Sequence, residues 1–136
     1  MVNRPAEYQF SAQESAVAIG AELERGDVDF AFRMLARAVT NFRRPTPEQW
    51  PDALKKPRTT GSTEWDTLLA VVIGRECDKA GIPRPEWTNP PPLRREWIAT
   101  SVSAPSERWI AKTKSRTPKE FSDLGIWFDP GNLETA

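Results

Sequence analysis

Thirteen of the 136 residues are proline, and their placement decides where this chain can be helical. Proline lacks a backbone N–H and crowds the preceding turn, so a helix ends at or before each cluster. Arg44-Pro45-Thr46-Pro47 is one such stop. Residues 83–92 hold five more prolines around Trp87. That segment reads as extended and stiff at low entropy cost, with Trp87 packing it back on the body.

Helical patterns fill the stretches between these stops. Ser11-Ala12-Gln13-Glu14 has capping-box spacing, and Ala16, Ile19, Ala21 and Leu23 continue in a short amphipathic helix ending near Gly26. Asp27 is the next N-cap, and Val28, Ala31, Phe32, Leu35, Val39 and Phe42 then recur at three- and four-residue steps. The opposite face carries Arg33, Arg37 and Arg43. Thr46, Pro47 and Gln49 start one short turn that ends at Trp50-Pro51 or runs on to Leu54.

Residues 55–62 are polar and read as a flexible loop inside one domain, because neither side is long enough for a comfortable core of its own. Ser62 or Thr63 caps the clearest helix, Thr63 standing in capping-box spacing to Asp66. Trp65, Leu68, Leu69, Val72, Ile73 and Cys77 line a wide stripe, which predicts a central helix buried on most sides and closed by Gly81. Residues 94–100 read as a short helix or turn, and Pro105-Ser106-Glu107 opens another helix carrying Trp109 and Ile110. Thr117-Pro118-Lys119-Glu120 is a further capping signature leading through Phe121 and Leu124 to Gly125. Ile126-Trp127-Phe128 is a brief extended piece able to pair as a strand, and Asp129-Pro130 starts a last turn ending at Leu133. The fold expected is mostly α: three to four main helices with irregular Trp/Pro-rich connections and at most a minor β element, in a single domain over 11–136 behind a flexible 1–10 lead-in.

Composition narrows the chemistry. Nineteen Lys and Arg balance nineteen Asp and Glu, which removes the bulk electrostatic pull toward nucleic acid or anionic membrane. With no histidine the commonest general base is missing, and with one cysteine neither an internal disulfide nor a thiolate zinc cage is possible. No run of about 18–20 apolar residues and no signal-peptide core occurs, so a soluble cytoplasmic protein is expected. None of the motifs GxxxxGK[ST], GxGxxG, HExxH, GxSxG or CxxC is present, and no catalytic, cofactor or metal residue is assigned.

The remaining candidates have plain structural readings beside them. Glu76, Asp78, Asp27 and Asp29 are read as solvated helix faces and caps, and Cys77, on the apolar stripe, as a buried thiol. The basic residues of the two halves, interleaved with Trp50 and Trp109, have the composition of a nucleic-acid surface, but acids lie close to most of them and no helix-turn-helix is evident. Six tryptophans are many for this length, and tryptophan anchors interfaces because it buries a large area with few rotors to freeze. Trp65 and Trp87 fit the core; Trp97, Trp109 and Trp127, in short weak elements, divide evenly between core and interface.

The residues from Gly26-Asp27-Val28-Asp29-Phe30-Ala31-Phe32-Arg33-Met34, then Trp65-Asp66-Thr67-Leu68-Leu69-Ala70 and Gly81-Ile82-Pro83-Arg84-Pro85-Glu86-Trp87, form a family pattern. It closes on Thr117-Pro118-Lys119-Glu120-Phe121 with Gly125-Ile126 and Leu133. Together they resemble the antitoxin-like domain of actinobacterial proteins, often fused behind a helix-turn-helix and often encoded beside an AbiEii-type nucleotidyltransferase toxin, over residues 20–136. The upstream helix-turn-helix has no counterpart here, so the resemblance implies partner binding rather than operator binding.

The resemblance thus implies a non-enzymatic antitoxin-like protein that binds and neutralises a cognate protein toxin, a nucleotidyltransferase, by protein–protein occlusion. Arg94 and Arg95 beside Trp97 have the composition of an interface hot spot, and Trp109 and Trp127 complete the partner-binding candidates. Acidic residues such as Glu64, Asp66, Glu86 and Glu96 are candidates to mimic phosphate in a basic nucleotide pocket. No cofactor, nucleic acid or membrane partner is expected. The alternative is a DNA-binding or regulatory module, a transcriptional regulator lacking a complete helix-turn-helix, and a small ligand-binding enzyme is the third class.

Overall fold

The computed structural model describes residues 10–133, which form a mostly helical domain with one two-stranded parallel sheet. The lead-in expected to be flexible falls outside the described residues except for Phe10, whose ring lies 5.3 Å from the Arg37 guanidinium. No described helix is long and apolar enough to cross a membrane.

Helix α1 (Ala12–Glu24) starts where the Ser11 hydroxyl accepts the Glu14 amide, and α2 (Val28–Asn41) where the Asp27 carboxylate accepts the Phe30 amide. Between them Gly26 takes φ +76°, a left-handed turn that glycine enters without strain. The two helices pack closely, burying Ala12, Ala16 and Ile19 against Ala31, Leu35 and Val39. Ala21, expected on the apolar face of α1, is exposed, because the buried series 12, 16, 19 puts position 21 on the far side. After the proline stop comes α3 (Trp50–Ala53), one turn whose Trp50 leans on Phe42 with ring centroids 6.1 Å apart.

Helix α4 (Thr63–Ala80) is the centre of the molecule. Trp65, Leu68, Leu69, Val72, Ile73 and Cys77 are all buried, as the stripe predicts, and Val71 is buried with them. α1, α2 and the later helix α6 (Lys119–Ser122) all contact it. Gly81, in the left-handed conformation at φ +71°, ends it. Ser62, one of the two expected caps, is its N-cap, but the expected Thr63–Asp66 capping box is not made, because Asp66 reaches back to the preceding loop. Thr60 donates both its amide and its hydroxyl to Asp66, each at 2.7 Å, and the Thr59 hydroxyl binds the other oxygen. The C-terminal end of the 55–62 loop is thereby tied to α4.

Residues 94–100, read as a short helix or turn, are instead a bend leading into strand β1 (Trp97–Ile98). It pairs in parallel with β2 (Ile126–Trp127), Trp97 opposite Ile126 and Ile98 opposite Trp127. The Trp97 amide donates to Gly125 at 2.8 Å and the Ala99 amide to Trp127 at 3.0 Å, a long-range pairing that local propensity does not contain. Helix α5 (Glu107–Arg116) lies between the strands in sequence, capped by Ser106 through the Trp109 amide at 3.1 Å. The expected Thr117 cap of α6 is not made. Its hydroxyl is already bonded to the Thr113 carbonyl and the Phe128 amide, and α6 begins after Pro118 with no side-chain cap. The chain closes in a 3-10 turn, Pro130–Leu133, that touches α2.

Candidate functional site

Three devices in the sequence build one cavity. The Asp27 cap fixes where α2 begins, so Asp29, Phe32 and Arg33 fall on its first turns. The β1–β2 pairing brings the chain after Ile98 beside Phe128. The Ser106 cap then sets Trp109 on the first turn of α5. These pieces, with Leu133 of the closing turn, enclose about 280 Å³.

The walls are apolar. Phe32 and Phe128 are stacked, centroids 5.9 Å apart and planes 11° from parallel, and Phe32 continues inward to Trp65 at 4.7 Å. Ala99, Phe128 and Leu133 are buried, Trp109 is half-buried, and Val102 stands at the rim 48% exposed. Polar chemistry at the mouth is limited to Thr100, Ser101, Asn132 and the Asp29–Arg33 ion pair at 3.6 Å. That pair is well over half exposed on both sides and contributes little to stability. The Arg33 guanidinium also lies 4.9 Å from the ring of Phe30, itself an exposed aromatic. Small-molecule sites usually enclose about 300–1,000 Å³, so this cavity suits one large side chain better than a cofactor.

Of the five residues expected to bind a partner, the structure brings only Trp109 into the cavity. Trp97 turns toward the core and meets Trp65 at 5.8 Å. Trp127 belongs to the opposite face, since alternate residues of a strand point to opposite sides and Trp97 is level with Ile126. Lys114 sits 4.9 Å from the centre of the Trp127 ring, and the indole N–H is buried without a hydrogen-bond partner among the described residues. Arg94 and Arg95 are exposed in the bend before β1. In the sequence Phe32 reads only as core, and nothing marks Phe128 or Leu133 as part of a site. Val102 carries the one signal there is, a lone valine inside the polar run Ser101-Val102-Ser103.

Glu76, Asp78, Cys77 and Asp66 are engaged internally. Glu76 is buried between Arg43 at 3.4 Å and Lys79 at 3.1 Å. Arg84 bonds Asp78 at 2.9 Å and Glu120 at 2.6 Å; its hydrogen bond holds the Asp78 carboxyl below the usual carboxylate range. Cys77 is fully buried, and burial pushes its thiol up to about 11. Asp66, a candidate phosphate mimic, spends its oxygens on Thr59 and Thr60, whereas Glu64, Glu86 and Glu96 are exposed. On α2, Arg33 pairs with Asp29 and Arg37 lies over Phe10.

Compared with known protein families, curated proteins and solved structures, the chain matches none, and the antitoxin-like resemblance rests on the quoted residues alone.

Proposed function

We propose that this chain is a non-enzymatic, antitoxin-like protein that binds a cognate toxin and neutralises it by occlusion, the face around Trp109 providing the contact. The observation that carries the reading is the apolar cavity lined by Trp109, sized for one bulky side chain and rimmed by exposed Val102. A buried aromatic pocket with an apolar and charged rim is the anatomy of an interface hot spot. The partner's class, a nucleotidyltransferase, is supported by the sequence resemblance. The DNA-binding alternative draws less support, because Arg33 of α2 and Arg43 just beyond it are paired with Asp29 and Glu76, and Arg37 lies over the Phe10 ring.

The test is an affinity pull-down from the native host with the tagged protein and its Val102→Asp variant. The expected result is one stoichiometric nucleotidyltransferase, inhibited on adding the wild-type protein and retained at least tenfold less well by V102D. A wild-type protein that elutes alone, or a retained enzyme whose rate is unchanged, overturns the reading.

A further inference from the structure

A second concavity, sharing no lining residue with the first, lies where the 56–59 loop faces Trp87 and Pro90 across α4. Its floor is apolar, made by Leu69 and Ala70, both buried in α4. Three tethers hold the walls apart. The Trp87 indole N–H donates to the Leu54 carbonyl at 2.9 Å, so the ring cannot swing into the groove. Gln13 donates to the Lys56 carbonyl at 3.2 Å, and Thr60 is bonded to Asp66. A groove held open in this way is preorganised, which lowers the entropy cost of filling it.

Charge sets what fills it. Lys56 and Arg58 line the groove, both exposed, and neither has an ion-pair partner among the described residues. The acid in the lining, Asp66, has its oxygens occupied by Thr59 and Thr60. The groove therefore offers two uncommitted cations above an apolar floor with an aromatic wall. At about 250 Å³ it is small for a nucleotide and adequate for one side chain.

We infer that this groove docks an acidic linear segment of a partner protein, one bulky apolar side chain entering against Trp87 and Ala70 while flanking carboxylates meet Lys56 and Arg58. The carboxylates supply the complementary charge, and the apolar residue displaces water from the floor.

The probe is a short fluorescein-labelled peptide with Asp-Phe-Asp at its centre in a Gly/Ser background. Its anisotropy is titrated against the full-length protein and tracked by two-dimensional NMR of the Trp87 indole and Ala70 amide. Saturable binding that shifts both signals is expected, about tenfold or more tighter than for Lys-Phe-Lys or Asp-Gly-Asp peptides. Lys56→Glu with Arg58→Glu should weaken it about tenfold or more, and Lys56→Gln with Arg58→Gln, which adds no new charge, by a smaller factor. Equal affinity for the three peptides, or shifts confined to other residues, overturns the inference. Tighter binding of an oligothymidylate at the same two signals also overturns it, in favour of a nucleic-acid ligand. Because no lining residue is shared, the V102D pull-down and this titration fail independently.

Discussion

Thr117 Oγ1 accepts the Phe128 amide hydrogen at 2.9 Å while donating its own proton to the Thr113 carbonyl at 2.8 Å. One hydroxyl thus joins the end of α5 to the residue after β2, and Phe128 is a wall of the Trp109 cavity. Thr117→Val keeps the shape but strands a donor beside buried Phe128. It should lower unfolding free energy by about 1–3 kcal/mol in urea titration, with Thr117→Ser closer to wild type. Equal midpoints for T117V and wild type would show that the contact carries no stability.

Two tryptophans make opposite demands on their indole nitrogens. Trp87 donates to Leu54, whereas the buried Trp127 N–H has no partner among the described residues. Trp87→Phe therefore loses a hydrogen bond and leaves the Leu54 carbonyl short of a donor, costing about 1–3 kcal/mol. Trp127→Phe removes an unpaired polar group along with some area, and the two effects offset to within about 1 kcal/mol. Thermal unfolding of the two variants side by side checks the order, and W127F as the weaker protein contradicts it.

Cys77 is sealed inside α4, and its thiol titrates near 11, chiefly through desolvation. A disulfide reagent at neutral pH should label it only after denaturant is added. Its ordinary value is 9.0, so the native state holds the proton more tightly than the unfolded chain. The stability this contributes is complete below pH 9 and is lost as pH rises toward about 11. Cys77→Ala should flatten that alkaline fall while weakening the core at neutral pH. Rapid native labelling would refute a sealed thiol.

Arg84 links three segments, its guanidinium bonding Asp78 of α4 and Glu120 of α6 from the proline-rich stretch. It lies across Gly74, where an added Cβ would come within 3.1 Å of Nη1, so the helix is bare where the arginine crosses. Arg84→Gln should cost about 1–2 kcal/mol at neutral pH, since partly buried charge-assisted bonds outweigh surface pairs. The Asp78 carboxyl lies below its ordinary 3.8 because of the Arg84 hydrogen bond. Its share of the stability is full above that value and fades as pH falls through the lower native one. The gap between R84Q and wild type should narrow below about pH 4, and a gap that widens on acidification excludes this assignment.

The helices and most of their ends are legible in the residues alone. Ser11, Asp27, Ser106 and Gly81 act within one turn of chain, and the α4 stripe is a period, so each can be read without knowing the fold. The folded chain sets what remains, because that turns on partners remote in sequence. Residues 97–98 become a strand only by meeting 126–127, and Asp66 and Thr117 leave their expected caps for bonds that only the fold offers. The same pairing sends Trp97 inward and Trp127 to the other face, separating two tryptophans that composition treats alike. Among the partner-binding candidates Trp109 alone lines the cavity beside Phe128, and the far wall of that cavity comes from α2 and Phe128, which local pattern cannot place beside α5.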